Sequence, residues 1–213
     1  ARMELLDDVQ MGACVVYSKL EGYEAKPTLF FEFHGTEASA VEQAETVQAI
    51  AEDFGGSAFQ WTSKMEDRNK LWQARHDAYY AALALRPGCG GWATDVCVPV
   101  SRLAECINET KADLKNTSLQ APLVGHVGDG NFHLVYLVDT DNQDELDEAQ
   151  AHSDRMVMRA LAMGGTCTGE HGVGYGKMGF LQAEHGDALA LMRSLKMAFD
   201  PDNIMNPGKI VSL

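Results

Sequence analysis

The sequence predicts an α+β fold in which an antiparallel sheet is covered by helices packed mainly on one face. Three observations predict it. Strand-like and helix-like segments alternate along the chain. Leu123–His126 and Phe132–Val138 are adjacent and joined by a Gly-Asp-Gly-Asn turn, as in a hairpin. Both halves of that pair are apolar on both faces, as expected for central strands enclosed by helices.

The elements follow in order. Met3, Leu5, Leu6, Val9, Ala13, Val16 and Tyr17 recur near helical spacing, so the chain is expected to open on a helix and to begin as if cut from a longer sequence. Pro27–Gly35, aromatic and bounded by Pro and Gly, reads as a strand. Thr36 can cap a helix with Val41, Ala44, Val47, Ile50, Ala51 and Phe54 on one face, ended by Gly55-Gly56. Ser57–Thr62 reads as a second strand. Glu66–Arg86 is helical, with Leu71, Trp72, Arg75, Tyr79, Ala82 and Leu83 sharing a face before Pro87-Gly88. Ala93–Val98 reads as a strand, and Ser101 caps a helix carrying Leu103, Ile107 and Leu114. After the hairpin, an acidic loop from Asp139 leads to a helix through Leu146, Met156 and Leu161. The glycine-dense stretch Gly165–Lys177 and a last helix through Leu189, Met192 and Leu195 complete the chain.

Composition narrows the function. The 213 residues suffice for one domain, and 46% hydrophobic with 23% charged residues excludes disorder and coiled coil. Acidic residues number 31 against 17 basic, a net charge of −14, which disfavours nucleic acid as a partner. The longest nearly apolar run, Ala78–Leu85, is far below the roughly 20 residues needed to span a bilayer. The five cysteines are odd in number and contain no C-x-x-C, so a disulfide framework is not expected and a reducing compartment fits.

Five residues stand out chemically. His126 and His133 flank the hairpin turn, which brings two imidazoles near each other and suits a transition metal. Glu170, beside His171 in the glycine-dense loop, can supply an oxygen ligand. The alternative is that the histidines cap a turn and Glu170-His171 is a polar loop. Arg75, on an inward helix face, needs a counter-anion: a substrate carboxylate, or else an internal partner such as Asp77, Asp95 or a glutamate. Gly172-Val-Gly-Tyr-Gly176 follows no strand of a βαβ unit and is rejected as a dinucleotide motif.

Five segments carry a family resemblance: Leu71–Ala78 (LWQARHDA), Thr94–Leu103 (TDVCVPVSRL), Gly125–His133 (GHVGDGNFH), Gly164–Gly174 (GGTCTGEHGVG) and Phe199–Lys209 (FDPDNIMNPGK). Together and in this order they resemble the C-terminal half of FAD-linked oxidases of the vanillyl-alcohol oxidase type, nearest to the cytochrome-linked D-lactate dehydrogenases. The resemblance implies a ferredoxin-like cap, or substrate-binding, domain over 1–213, with FAD bound mainly by a preceding domain outside this chain. It implies a divalent metal, Zn or Mn, on His126, His133 and Glu170, and His171 as the general base. Arg75 and Tyr79 fall to the substrate and Asn206 to the cofactor side. A related branch acting on D-2-hydroxyglutarate tends to carry Lys where this chain has Ala93 and a small hydroxyl residue where it has Tyr79, so a monocarboxylate such as D-lactate, oxidised to pyruvate, is the expected substrate. The implied electron acceptor is a cytochrome or quinone. The implied compartment is mitochondrial in a eukaryote, and cytoplasmic or peripheral to the inner membrane in a bacterium; the fragment alone is expected to be inactive. The alternative reading is a metal-dependent hydrolase or a structural metal-binding module, which two His, a Glu and an adjacent His also permit.

Overall fold

In a computed structural model, which describes residues 1–57 and 59–213, six antiparallel strands form the sheet expected from the sequence. The strands are β1 (Arg2–Leu6), β2 (Thr28–Glu32), β3 (Gly90–Ala93), β4 (Val96–Cys97), β5 (Leu123–Gly125) and β6 (Asn131–Val138). Their order across the sheet is β2-β1-β5-β6-β3, with β4 also paired to β6. The helices are α1 (Asp8–Tyr17), α2 (Glu37–Asp53), α3 (Met65–His76), α4 (Ala78–Ala84), α5 (Val100–Leu114), α6 (Gln143–Ala162), α7 (Leu181–His185) and α8 (Ala188–Phe199).

β6 divides the core. Phe132, Leu134, Tyr136 and Val138 point to one face and pack with Leu103 and Cys106 of α5 and with Ala149, Met156, Val157 and Ala160 of α6. Val135 and Leu137 point to the other face, against Ala82 of α4. On that same side Leu6 and Val124 pack with Met11 and Cys14 of α1, Trp72 of α3 and Ala78 of α4. Helices therefore cover both faces, not mainly one. The fully buried β6, apolar in both registers, is the physical reason: neither face could be left to water.

Several elements differ from expectation. The chain opens on strand β1, not a helix, because Glu4 and Leu6 are buried at strand period while Met3 is exposed. Asp7 then caps α1 by accepting from Gln10 N–H at 2.8 Å. The long helix expected over 66–86 breaks at Asp77 into α3 and α4. The strand over 93–98 splits into the end of β3 and the short β4, and α5 starts at Val100, so Ser101 lies within the first turn instead of capping it. Residues 57 and 59–62 form no strand, while residue 58 of that expected segment lies outside the described residues. Thr36 does cap α2, accepting from Ser39 N–H at 3.3 Å. All five cysteines are free thiols, and no described helix is long and apolar enough to cross a membrane.

The acidic segment after β6 does more than solvate a loop. Arg86 donates to both oxygens of Glu145, at 2.6 and 3.0 Å, and to the Leu137 carbonyl, tying α6 to β6. The Arg86 hydrogen bonds hold the Glu145 carboxyl at about 2, below its ordinary value. A carboxyl with a lowered folded pKa stabilises above its unfolded pKa and loses that contribution as pH falls through the folded one. Glu145→Gln is therefore expected to lower the melting temperature at pH 7, with the difference from wild type closing as pH falls from 4.5 towards 2. A difference that persists unchanged at pH 2 contradicts this.

Candidate metal and substrate site

Strand register builds the site. Leu6 pairs with Val124 and Leu5 with Gly125, so continuing that register sets Glu4 opposite His126. Val124 pairs with His133, and Val96 pairs with Phe132, which sets Asp95 opposite His133. Positions facing each other across an antiparallel pair share a face. Glu4, His126, His133 and Asp95 thus form a band across four strands on the face away from α5 and α6.

The two rings are held from behind. His126 Nδ1 lies 2.9 Å from the Glu4 carboxylate, and His133 Nδ1 lies 2.8 Å from the Thr94 carbonyl. Both partners only accept, so Nδ1 carries the proton in each neutral ring and each Nε2 presents a lone pair. Those lone pairs converge on one carboxylate oxygen: Glu170 Oε1 is 3.3 Å from His126 Nε2 and 3.1 Å from His133 Nε2. Three acceptors meeting in this way form a donor set for a borderline divalent cation. His171 stacks on His133 with ring centroids 4.9 Å apart, and half of its side chain is exposed.

The histidines differ electrostatically. The hydrogen bond to Glu4 raises the His126 pKa above its ordinary 6.5, whereas burial lowers that of His133 and keeps it neutral. Glu4 itself is held below the usual carboxylate range, because His126 and Arg75 together outweigh its burial.

Asp95 fixes the loop that carries Glu170 and His171. It is 1% exposed and accepts from Thr168 Oγ1 at 2.8 Å, His171 N at 2.9 Å, Glu170 N at 3.1 Å and Asn131 Nδ2 at 3.1 Å. Lys177 adds a charge, with Nζ 2.7 Å from the Asp95 carbonyl and 3.3 Å from its carboxylate. Burial alone would raise the Asp95 pKa, yet these donors hold it far below the carboxylate range. Gly169 lies so close to this group that a Cβ there would fall 1.9 Å from Asn131 Nδ2. The approach requires glycine.

Of the residues singled out in the sequence, His126, His133, Glu170 and His171 come together. Arg75 joins them indirectly: its Nη2 donates to Glu4 at 2.8 Å and its Nε at 3.2 Å, so a glutamate, not Asp77 or Asp95, is its internal partner. Tyr79 is not brought to the cluster by its hydroxyl, which donates to the Gly91 carbonyl at 3.2 Å; Gly91 pairs with Leu137, four residues along β6 from His133. Asn206 lies in the exposed tail at a left-handed φ of 47°. Sequence reasoning missed Glu4, Asn131 and the full role of Asp95. The alternation of Glu4 and Leu6 was the available signal for the first, since it marks a strand and so a partner for β5.

Asp95→Asn is expected to cost about 3–5 kcal/mol, because it removes a buried charge whose donors remain behind. Melting of the variant checks this, and a loss below 1 kcal/mol would show that the loop is held by other means.

Comparison with known proteins identifies the family. Residues 1–210 match the family described as FAD linked oxidases, C-terminal domain. Over 214 residues the chain is 51% identical to the Probable D-lactate dehydrogenase, mitochondrial, of Danio rerio, covering 100% of this chain and 43% of that protein. It is 45% identical to the D-lactate dehydrogenase [cytochrome], mitochondrial, of Arabidopsis thaliana, covering 99% and 37%. It is 31% identical to Glycolate oxidase subunit GlcD of Bacillus subtilis, covering 99% and 45%. The chain thus spans less than half the length of these relatives. Its fold is that of 4-ethylphenol oxidase from Gulosibacter chungangensis, with a TM-score of 0.72 at 14% identity over 99% of this chain and 47% of that one. Fold, motif order and family match agree: the chain belongs to the FAD-linked oxidases and comprises their C-terminal domain.

Proposed function

We propose that this chain is the substrate- and metal-binding half of a flavin-dependent D-2-hydroxy-acid dehydrogenase that oxidises D-lactate to pyruvate. The observation that carries this reading is the convergence of the His126 and His133 Nε2 lone pairs on Glu170 Oε1. With both rings neutral and protonated on Nδ1, three acceptors face one another there, and a cation in that position satisfies all of them. Asn131 Oδ1, buried and without a donor among the described residues, leaves further capacity for a polar ligand beside them.

His126, His133 and Glu170 would hold the metal, Zn or Mn. Such an ion supplies Lewis acidity that lowers the pKa of a bound hydroxyl. Arg75 holds the substrate carboxylate: its side chain is 13% exposed, and its Nη1 donors are uncommitted among the described residues. His171, its backbone fixed by Asp95, takes the hydroxyl proton. FAD, when bound by the family's other domain, supplies the hydride acceptor. Asn206 and the exposed tail are assigned to that side, since its Oδ1 meets only Lys209 Nζ at 3.4 Å among the described residues. Tyr79, whose hydroxyl is tied to the Gly91 carbonyl, would serve as a wall of the substrate region and not as a ligand.

Position 93 supports a monocarboxylate. Ala93 lies two residues from Asp95 on the same face of the sheet and pairs with Val135, so a methyl group stands where a base could meet a second carboxylate. The relatives named as cytochrome-linked and mitochondrial support a cytochrome as the electron acceptor and a mitochondrial location in a eukaryote.

The test is anaerobic bleaching of the flavin in the full-length protein. D-lactate is expected to bleach it, and L-lactate and D-2-hydroxyglutarate are not. Chelation slows the bleaching and Mn²⁺ or Zn²⁺ restores it. Bleaching by D-2-hydroxyglutarate in preference, or rates indifferent to chelation, would refute the assignment. His171→Ala is expected to slow flavin reduction by roughly 10²–10⁴-fold while retaining the metal. Metal retention has its own pH dependence. Because His126 must lose its second proton to ligate, and the Glu4 hydrogen bond favours that proton, the apparent affinity for Mn²⁺ or Zn²⁺ is expected to fall as pH is lowered. An affinity that does not change with pH contradicts that.

A further inference from the structure

Glu4 is the one group in the site that touches both ligand-binding sides. It is 4% exposed and meets His126 Nδ1 at 2.9 Å and the Arg75 guanidinium at 2.8 and 3.2 Å. Strand pairing fixes it there: β1 is held to β5 by the Leu6–Val124 and Leu5–Gly125 register, and Gly128 N–H donates to the Met3 carbonyl at 3.3 Å. The pairing fixes the backbone of Glu4, and burial with the bonds to His126 and Arg75 holds its carboxylate.

We propose that Glu4 is the positioning residue of the metal site, acting through His126. This rests on the metal reading above. A carboxylate behind an imidazole accepts its Nδ1–H, turns the Nε2 lone pair towards the ligand and makes that nitrogen a stronger donor to a cation. His133 Nδ1 has the neutral Thr94 carbonyl in the equivalent place, with the Asp95 carboxylate farther off at 3.7 Å, so Glu4 is the carboxylate in direct hydrogen-bond contact with the Nδ1 of a ligand histidine. Arg75 competes for this charge. Its two donors share the carboxylate with His126, so removing Arg75 leaves Glu4 entirely to the ring.

That competition separates a positioning role from a merely structural one. If Glu4 mattered only as the ion-pair partner that fastens α3 to the sheet, Glu4→Gln and Arg75→Met would harm the metal site equally. If it acts through His126, only Glu4→Gln does so. The experiment strips metal from the full-length flavoprotein by chelation and titrates Mn²⁺ and Zn²⁺ calorimetrically. Glu4→Gln is expected to weaken affinity 10–100-fold, and Arg75→Met to bind at least as tightly as wild type. Equal affinities of Glu4→Gln and wild type, or a loss in Arg75→Met as large as that in Glu4→Gln, overturn the proposal. Should Glu4→Gln fail to fold, Glu4→Asp, which keeps the charge but draws it back from His126 Nδ1, is titrated in its place, weakened affinity supporting the role and wild-type affinity refuting it. A wild-type protein that takes up neither ion overturns the metal reading and this inference with it.

Discussion

The arrangement depends on a single buried carboxylate. Asp95 lies where two structures meet: it stands opposite His133 on the sheet, and it accepts the backbone N–H groups of Glu170 and His171 from the glycine-dense loop. Burying a carboxylate this deeply costs several kcal/mol unless it is amply hydrogen-bonded. Thr168, Asn131 and Lys177 complete the set that offsets that cost. The same bonds convert a flexible, glycine-rich segment into one with a defined conformation, so the order of Glu170 and His171 follows from the solvation of Asp95. Gly169 allows the loop to approach closely enough for those bonds to form.

A second constraint is register. The period of two in a strand decides which residues share a face, and across β1, β5, β6 and β4 it selects Glu4, His126, His133 and Asp95. Shifting any of these strands by one residue would send its member of the band into the apolar layer beneath α5 and α6. Because the opposite face of β6 carries Phe132, Leu134 and Tyr136 in a packed core, such a shift is strongly opposed. Packing energy on one side of the sheet thereby fixes the chemistry on the other. The sheet also separates the two histidines electrostatically: the more exposed His126 has a charged partner and a raised pKa, while the buried His133 has a neutral partner and a lowered one.

Much of this was legible in the sequence, for identifiable reasons. The hairpin announced itself through its turn residues, and the turn alone brought His126 and His133 together. Glu170 and His171 stood out as candidates because glycines flank them on both sides. What could not be read was long-range pairing. Glu4 lies 122 residues from His126, and the apolar residues around it fit helical spacing as well as they fit a strand, so its partner was hidden until β1 was seen beside β5. Asp95 was visible only as one acid among several possible partners for Arg75. Its actual donors, Thr168, Glu170 N–H and His171 N–H, are more than 70 residues away and two of them belong to the backbone, whose hydrogen bonds no side-chain pattern records. Helices on both faces were likewise missed, because continuous apolar strands imply two covers without stating which helices provide them.

The central claim is that Asp95 and the strand register hold Glu170 against His126 and His133 so that the three bind one cation. The most direct measurement is anomalous diffraction at the metal absorption edge from crystals of the full-length flavoprotein grown with Mn²⁺ or Zn²⁺. The account predicts a single strong peak within about 2.0–2.2 Å of His126 Nε2, His133 Nε2 and a Glu170 oxygen. A peak on Asp95 instead, or none at the three ligands, would contradict it.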